Sequence, residues 1–206
     1  MLALSLLATL AFAPEPACLM AAPASSPVGM ASDSLRAIYE GGQSFPAFLA
    51  AAEHRKEMWQ ANYAAGETVD ATMVSRARAV GRTWHLLVVA IDSCSDSVST
   101  IPYLARLVEQ VEGLEMRIVL PTVGTSVQEA HRTPDGRAAT PTVVLLNPNW
   151  EVVGCFVERP VALRDWLEAH KGESKMDWYA EDLGRTTVAQ FVDVLEKAGH
   201  GEMRCE

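Results

Sequence analysis

The stretch 84-WHLLVVAIDSCSDSVSTIP-102 runs three patterns together in one short piece of chain. Its first part, 84-WHLLVVAI-91, is continuously apolar, as a strand buried on both faces must be. A polar turn rich in serine and aspartate follows and contains Cys94. From there 97-SVSTIPYLARLVEQVE-112 carries apolar residues at helical spacing (Ile101, Leu104, Leu107, Val108, Val111), and Gly113 stops it. Pro102 lies inside this helix and predicts a kink. A thiol therefore stands at a strand-to-helix junction. Such a residue is either a nucleophile held by the free N–H groups of the first turn, or an inert helix cap in a polar turn.

On the N-terminal side the spacing predicts helices only. Segment 33–40 is a short helix stopped by Gly41 and Gly42, and Ser44 caps a second over 47–64, with Pro46 in its first turn. Asp70 opens a third over 71–80, closed by Gly81. On the C-terminal side 114–120 is a second strand and 125–132 a short helix. Strands 142–146 and 151–157 form a hairpin about 147-NPNW-150, helix 161–170 follows, and the tail ends in an amphipathic helix with Thr187 as its cap. This order predicts two parallel crossover units and an antiparallel hairpin in one mixed sheet of about four strands, with helices on both faces.

Composition narrows the function class little. With 206 residues, 49% hydrophobic and 21% charged, the chain is an ordinary globular domain with extensions. A formal net charge of -9 argues against nucleic-acid binding, which needs a basic surface. Four cysteines (Cys18, Cys94, Cys155, Cys205) lie far apart, without zinc-knuckle or dithiol spacing. Residues 2–13 are apolar and end in Ala-Phe-Ala, like a signal peptide without its basic start, and are too short for a transmembrane helix. Two readings of residues 1–31 stand: an export signal, which places the protein outside the cytoplasm or in the periplasm, or an overextended start, with translation from Met30 and a cytoplasmic protein. The predicted organisation is a leader (1–31), an N-terminal helical extension (32–82), an α/β core (83–172) and a C-terminal helical tail (173–206).

The buried strand, the cysteine at a helix N-terminus, Pro102 eight residues on, and 140-TPT-142 opening the next hairpin together resemble the thioredoxin fold. More closely, 94-CSDS-97, Ile101-Pro102, 158-ERP-160 and 178-WYAEDLGRTTV-188 are similar to a bacterial thioredoxin-like family with a W-C-G-D-S type site and a downstream G-x-R-P segment. The resemblance spans roughly 33–198. It implies thiol oxidoreductase activity, a cis Thr140–Pro141 bond facing Cys94, and a Thr140 backbone free to pair with an extended substrate. The chain departs from the pattern at Ser93 (aromatic in the family), Ser95 (glycine) and Ser97, where thioredoxins have a second cysteine. The strand position of the thioredoxin buried acid corresponds by spacing to Val88. These departures argue against two-thiol cycling.

The expected site is Cys94 as nucleophile with Ser97 beside it, and Thr140, Pro141, Ser95 and Asp96 as substrate contacts. The amides of Asp96 and Ser97 and the Ser97 hydroxyl are expected to donate to the sulfur and stabilise its anion, while Asp92 and Asp96 oppose it. If Asn147 pairs with Trp150 across a two-residue loop, Cys155 falls opposite Thr142 and becomes a candidate resolving thiol, with a packed core cysteine as the plainer reading. Cys205 reaches the site only if the tail folds back. His85 reads as a core histidine, and His54, Glu53 and Glu57 as a solvated face. Arg159 reads as a substrate contact or a residue paired to a surface acid, and Trp178, Tyr179 and Arg185 as docking the last helix. The expected activity is monothiol thiol–disulfide oxidoreduction on protein or low-molecular-weight thiols and disulfides, with glutathione or another external thiol as resolver. The alternative is a redox-inactive polypeptide-binding module or redox sensor. No other cofactor is implied: the glutathione-binding pattern of monothiol glutaredoxins, which can hold an iron–sulfur cluster, is not apparent.

Overall fold

Among the residues described by the computed structural model, 30–205, four helices precede the first strand. They are α1 (Ser32–Glu40), α2 (Phe45–Ala51), α3 (Lys56–Ala65) and α4 (Ala71–Val80), with a 3-10 turn at Gly66–Thr68. The expected leader lies outside the described residues except for Met30 and Ala31, as does Cys18. Ser44 Oγ accepts from Ala47 N and Asp70 from Thr72 N, so both expected caps form. The helix expected over 47–64 is instead two. The chain breaks after Ala51, Arg55 takes the left-handed conformation (φ 51°), and the amides freed at Glu53 and His54 donate to the Asp92 carboxylate. A partner nearly forty residues away decides that break.

The rest follows as β1 (Trp84–Val89), α5 (Ser95–Gln110), β2 (Leu114–Val119), α6 (Pro121–Ala130), β3 (Thr142–Leu146), β4 (Val152–Val157), α7 (Val161–Ala169), α8 (Lys175–Asp182), α9 (Arg185–Gly199) and β5 (Arg204–Cys205). The sheet order is β2-β1-β3-β4-β5. β1 pairs parallel with β2 and antiparallel with β3, and β4 pairs antiparallel with β3 and parallel with the short β5. Of the two expected parallel crossovers, β1-α5-β2 forms, whereas α6 leads into the antiparallel β3; the other parallel pair, β4 and β5, is joined through α7, α8 and α9. α6 starts directly after β2 and lays Gly124 on Val89, where a Cβ would meet the valine at 2.4 Å. The chain thus stays at the end of the sheet where β1 finishes, and β3 begins there, with Thr142 opposite Val89.

β1 is buried on both sides, as its apolar run requires. Leu86, Val88 and Ala90 pack with Trp59, Leu104, Phe191 and Val192 on one face, and Leu87 and Val89 pack with Leu35, Val127 and Val144 on the other. α5 runs on through Pro102 as one helix. Proline has no N–H for the Val98 carbonyl one turn back, and the Asn62 side-chain amide donates to that carbonyl at 2.8 Å. The last expected cap also moves. Leu183 and Gly184 are both left-handed (φ 51° and 74°), α9 starts at Arg185, and Thr187 lies fully buried inside it.

The hairpin register differs from the expected one. Asn147 Oδ1 accepts from the amides of both Asn149 and Glu151, Trp150 is left-handed (φ 64°) and stacks on His85, and Asn147 N donates to Glu151 O. The loop thus has three residues between its paired ends. This longer loop and a register shift between Leu145 and Leu146 together put Val157 opposite Thr142 and Cys155 opposite Val144, farther from Pro141. Among the described residues no helix is long and apolar enough to cross a membrane.

Candidate functional site

Cys94 is the N-cap of α5, with an extended backbone (φ -76°, ψ 126°) that ends the turn from β1. Its half-buried sulfur accepts from Ser97 N at 3.5 Å and donates its own proton to Thr140 O at 3.2 Å. The Thr140–Pro141 bond is cis. The loop before β3 is held on both sides. Gln128 Nε2 and Thr142 Oγ1 each donate to Ala139 O at 2.8 Å, and Glu158 N donates to Pro141 O at 2.7 Å. The bond from sulfur to Thr140 lasts only while the thiol keeps its proton. The bond from Ser97 N becomes charge-assisted when that proton is lost.

The N-terminal helices hold the turn from below. Asp92 accepts the Glu53 and His54 amides at 2.8 and 2.9 Å, with the His54 ring at 3.3 Å. Burial works to raise the Asp92 carboxyl, but these bonds, led by the His54 amide, outweigh it and hold it below the usual carboxylate range. Trp59 Nε1 donates to Asp92 O at 3.0 Å, and Arg55 Nε to Ser93 O at 2.8 Å. Sequence reasoning treated Asp92 only as a charge beside the thiol and assigned no role to Arg55, Trp59 or Asn62. Nothing local in the chain marks partners so distant.

A polar network backs the first turn of α5. Asp96 is 4% exposed, and its carboxylate accepts from Tyr179 OH at 2.9 Å, Lys175 Nζ at 2.5 Å and Arg159 Nη2 at 3.2 Å. Arg159 also donates to Glu158 at 2.6 Å, and Arg137 reaches both oxygens of Glu158 at 3.1 Å. Burial would raise the Glu158 carboxyl, but the Arg137 hydrogen bonds and the two guanidinium charges bring it below its ordinary value. Burial and then the Asp96 charge push the Tyr179 phenol up, so it remains a donor. Asp96, expected at the substrate surface, is instead covered and fully engaged. Arg159 pairs with acids, one of them this buried carboxylate. Tyr179, expected to dock the last helix, reaches the site through Asp96.

A family model described as thioredoxin matches residues 42–173. The chain belongs to the thioredoxin family. Among curated proteins none matches the sequence. Two crystal structures share the fold: a protein of unknown function from Pseudomonas aeruginosa, at 20% identity and a TM-score of 0.63, and an HIV epitope-scaffold, at 18% and 0.64. Each alignment covers 78% of this chain and 96% of the other.

Within this thioredoxin fold the expected residues separate. Cys94, Thr140 and Pro141 come together, with Ser95 half-buried beside the thiol in the first turn. Ser97 contributes its amide. Its hydroxyl, expected to donate to the sulfur, is buried and has no partner among the described residues. The bond from Ser97 N is the one amide contact on the sulfur there, and none comes from Asp96. Val88 is fully buried in the apolar core, with no acid in its place. Cys155 is joined to Cys205 in a disulfide, because the tail folds back as β5. A resolving role would need a free Cys155 thiol. Cys94 is the free cysteine among the described residues. His85 lies against Tyr39 and Trp150, and burial lowers its pKa.

Proposed function

We propose that this thioredoxin-family chain is a monothiol thiol–disulfide oxidoreductase of the bacterial group marked by a W-C-G-D-S type site, here S-C-S-D-S. The observation that carries the reading is the position of the Cys94 sulfur. It is half-exposed at the head of α5, between Ser97 N and the carbonyl that precedes Pro141. Cys94 gives up its proton and attacks one sulfur of a disulfide or glutathionylated thiol. A Cys94 mixed disulfide forms, and the other sulfur leaves as a thiolate and takes up a proton. Loss of the proton also releases Thr140 O from the sulfur, so the carbonyl becomes available to an extended substrate strand. With serine at position 97, an external thiol such as glutathione attacks the mixed disulfide, takes the substrate sulfur into a new disulfide and regenerates Cys94. In this reading 83–172 carries the chemistry, 32–82 braces the turn, and the 173–206 tail supplies Lys175 and Tyr179. Thr140, Pro141 and Ser95 contact substrate, and Asp96 positions the first turn.

The test is turnover of a glutathionylated peptide with glutathione, for wild type, Cys94→Ser and Ser97→Cys. Wild type turns over and accumulates a trapped mixed disulfide on a gel, Cys94→Ser does neither, and Ser97→Cys releases the trapped species. Equal rates for wild type and Cys94→Ser would sink the proposal. The remaining reading would then be a redox-inactive module that binds extended polypeptide along the half-exposed Thr140.

A further inference from the structure

The C-terminal tail returns to the sheet edge as β5, where Cys205 pairs in parallel register with Cys155. Cys155 is 2% exposed, whereas Cys205 is open to solvent. His131 stands just beyond the end of α6. One of its ring nitrogens and the two sulfurs all lie within 4.8 Å of one another. Nδ1 is 2.9 Å from Val127 O. A bond to a carbonyl requires the proton on Nδ1, which leaves Nε2 with its lone pair. A disulfide needs no imidazole beside it. A histidine with one nitrogen held by a backbone carbonyl, beside two cysteines from different strands, brings together the ligand types of a thiophilic metal centre.

We propose that His131, Cys155 and Cys205 form a redox-switched site for a zinc-class dication, with the disulfide as its closed, metal-free state. A dithiol reduces the bond: two electrons and two protons pass to the pair, and the reductant leaves as its own disulfide. The cation then displaces both thiol protons, and the two thiolates neutralise its charge. His131 is the third ligand, and a fourth position stays open to water. Ideal tetrahedral coordination separates the two sulfurs by about 3.8 Å, given metal–sulfur bonds of about 2.3 Å. β5 has two residues, both exposed, so it is the element that would shift to open that spacing. In the reverse direction a disulfide oxidant takes two electrons from the thiolates, is itself split into two thiolates, and the cation is released.

The test uses the full chain carrying Cys18→Ser and Cys94→Ser, so that only the Cys155 and Cys205 thiols remain. A phosphine opens the disulfide, and Co²⁺ is titrated as a spectroscopic stand-in for Zn²⁺, which then displaces it. The reduced chain should bind one ion with thiolate-to-cobalt charge-transfer absorption, and the disulfide form none. His131→Ala should weaken binding by at least the about 10- to 100-fold that losing an outer-shell partner costs, and Cys205→Ser, in the exposed tail, should remove the charge-transfer band of a two-thiolate site. Absence of a one-to-one thiolate complex in the reduced chain, equal binding by the disulfide form, or unchanged affinity in both variants would overturn the proposal. The residues are not those of the Cys94 site, so failure here leaves the thiol-exchange reading untouched.

Discussion

Replacing Asp96 tests how the first turn of α5 is held. Asparagine keeps the shape and can still meet the Tyr179 hydroxyl, whose bond to Asp96 is 2.9 Å. The change removes the negative charge that faces Lys175 Nζ at 2.5 Å and Arg159 Nη2 at 3.2 Å. Breaking a fully buried ion pair costs about 3–5 kcal/mol. Here the cost is smaller, because the Lys175 side chain is 27% exposed and can turn to water, and Arg159, at 17%, keeps Glu158. We expect about 2 kcal/mol for Asp96→Asn, a fall in Tm of about 4–8 °C in a chain of this size. Asp96→Ala also strands the buried Tyr179 hydroxyl, adding about 1–2 kcal/mol. In the double variant Asp96→Asn/Lys175→Met, the unpaired ammonium is gone, so the cost should be less than the sum of the singles. Urea unfolding followed by circular dichroism measures wild type, Asp96→Asn, Asp96→Ala, Lys175→Met and the double variant. Strict additivity, or an alanine variant no worse than asparagine, would refute the idea that a buried charge cluster holds this turn.

Three other changes probe the frame. Asn62→Ala should cost about 1–3 kcal/mol by leaving the Val98 carbonyl without its donor, and Asn62→Asp, an acceptor facing a carbonyl, should cost more in the same urea titration. Gly184→Ala combines a left-handed backbone (φ +74°) with a Cβ 2.1 Å from the Tyr103 ring, so a loss of about 3 kcal/mol or more is expected, partly restored by Tyr103→Leu. The folded Glu158 carboxyl is depressed below its ordinary 4.5, so its stabilisation is complete above that pH and fades as the pH falls below it toward the folded value. The Tm of wild type should therefore drop more steeply on the acid side than that of Glu158→Gln, and parallel curves would contradict this.

The identity of the strands and helices was legible in the chain, because burial on both faces, helical spacing and capping residues are local patterns. Trp84–Val89, the helix behind Cys94 and the caps Ser44 and Asp70 all follow from them. So does the thiol at a helix N-terminus, whereas its place opposite Pro141 was implied by the resemblance to the thioredoxin fold. Where several residues compete for one local role, the chain was ambiguous. Thr187 offers a side chain for capping, yet two left-handed residues upstream start the helix. Asn147 bonds twice across the hairpin loop and lengthens it by one residue, and a register shift between Leu145 and Leu146 adds a second, which together move Cys155 along the sheet.

The partners of the site belong to a different class of fact. Asp92 with the broken helix at residues 52–55, Asn62 with the carbonyl exposed by Pro102, Tyr179 and Lys175 with Asp96, and Cys205 with Cys155 are all meetings of distant segments. Each polar group needs a partner once it is buried, and the sequence states that need without saying who meets it. Periodicity and caps are properties of neighbours along the chain. Hydrogen-bond satisfaction and disulfide pairing are properties of neighbours in space, and those exist only after the sheet has brought its edges together.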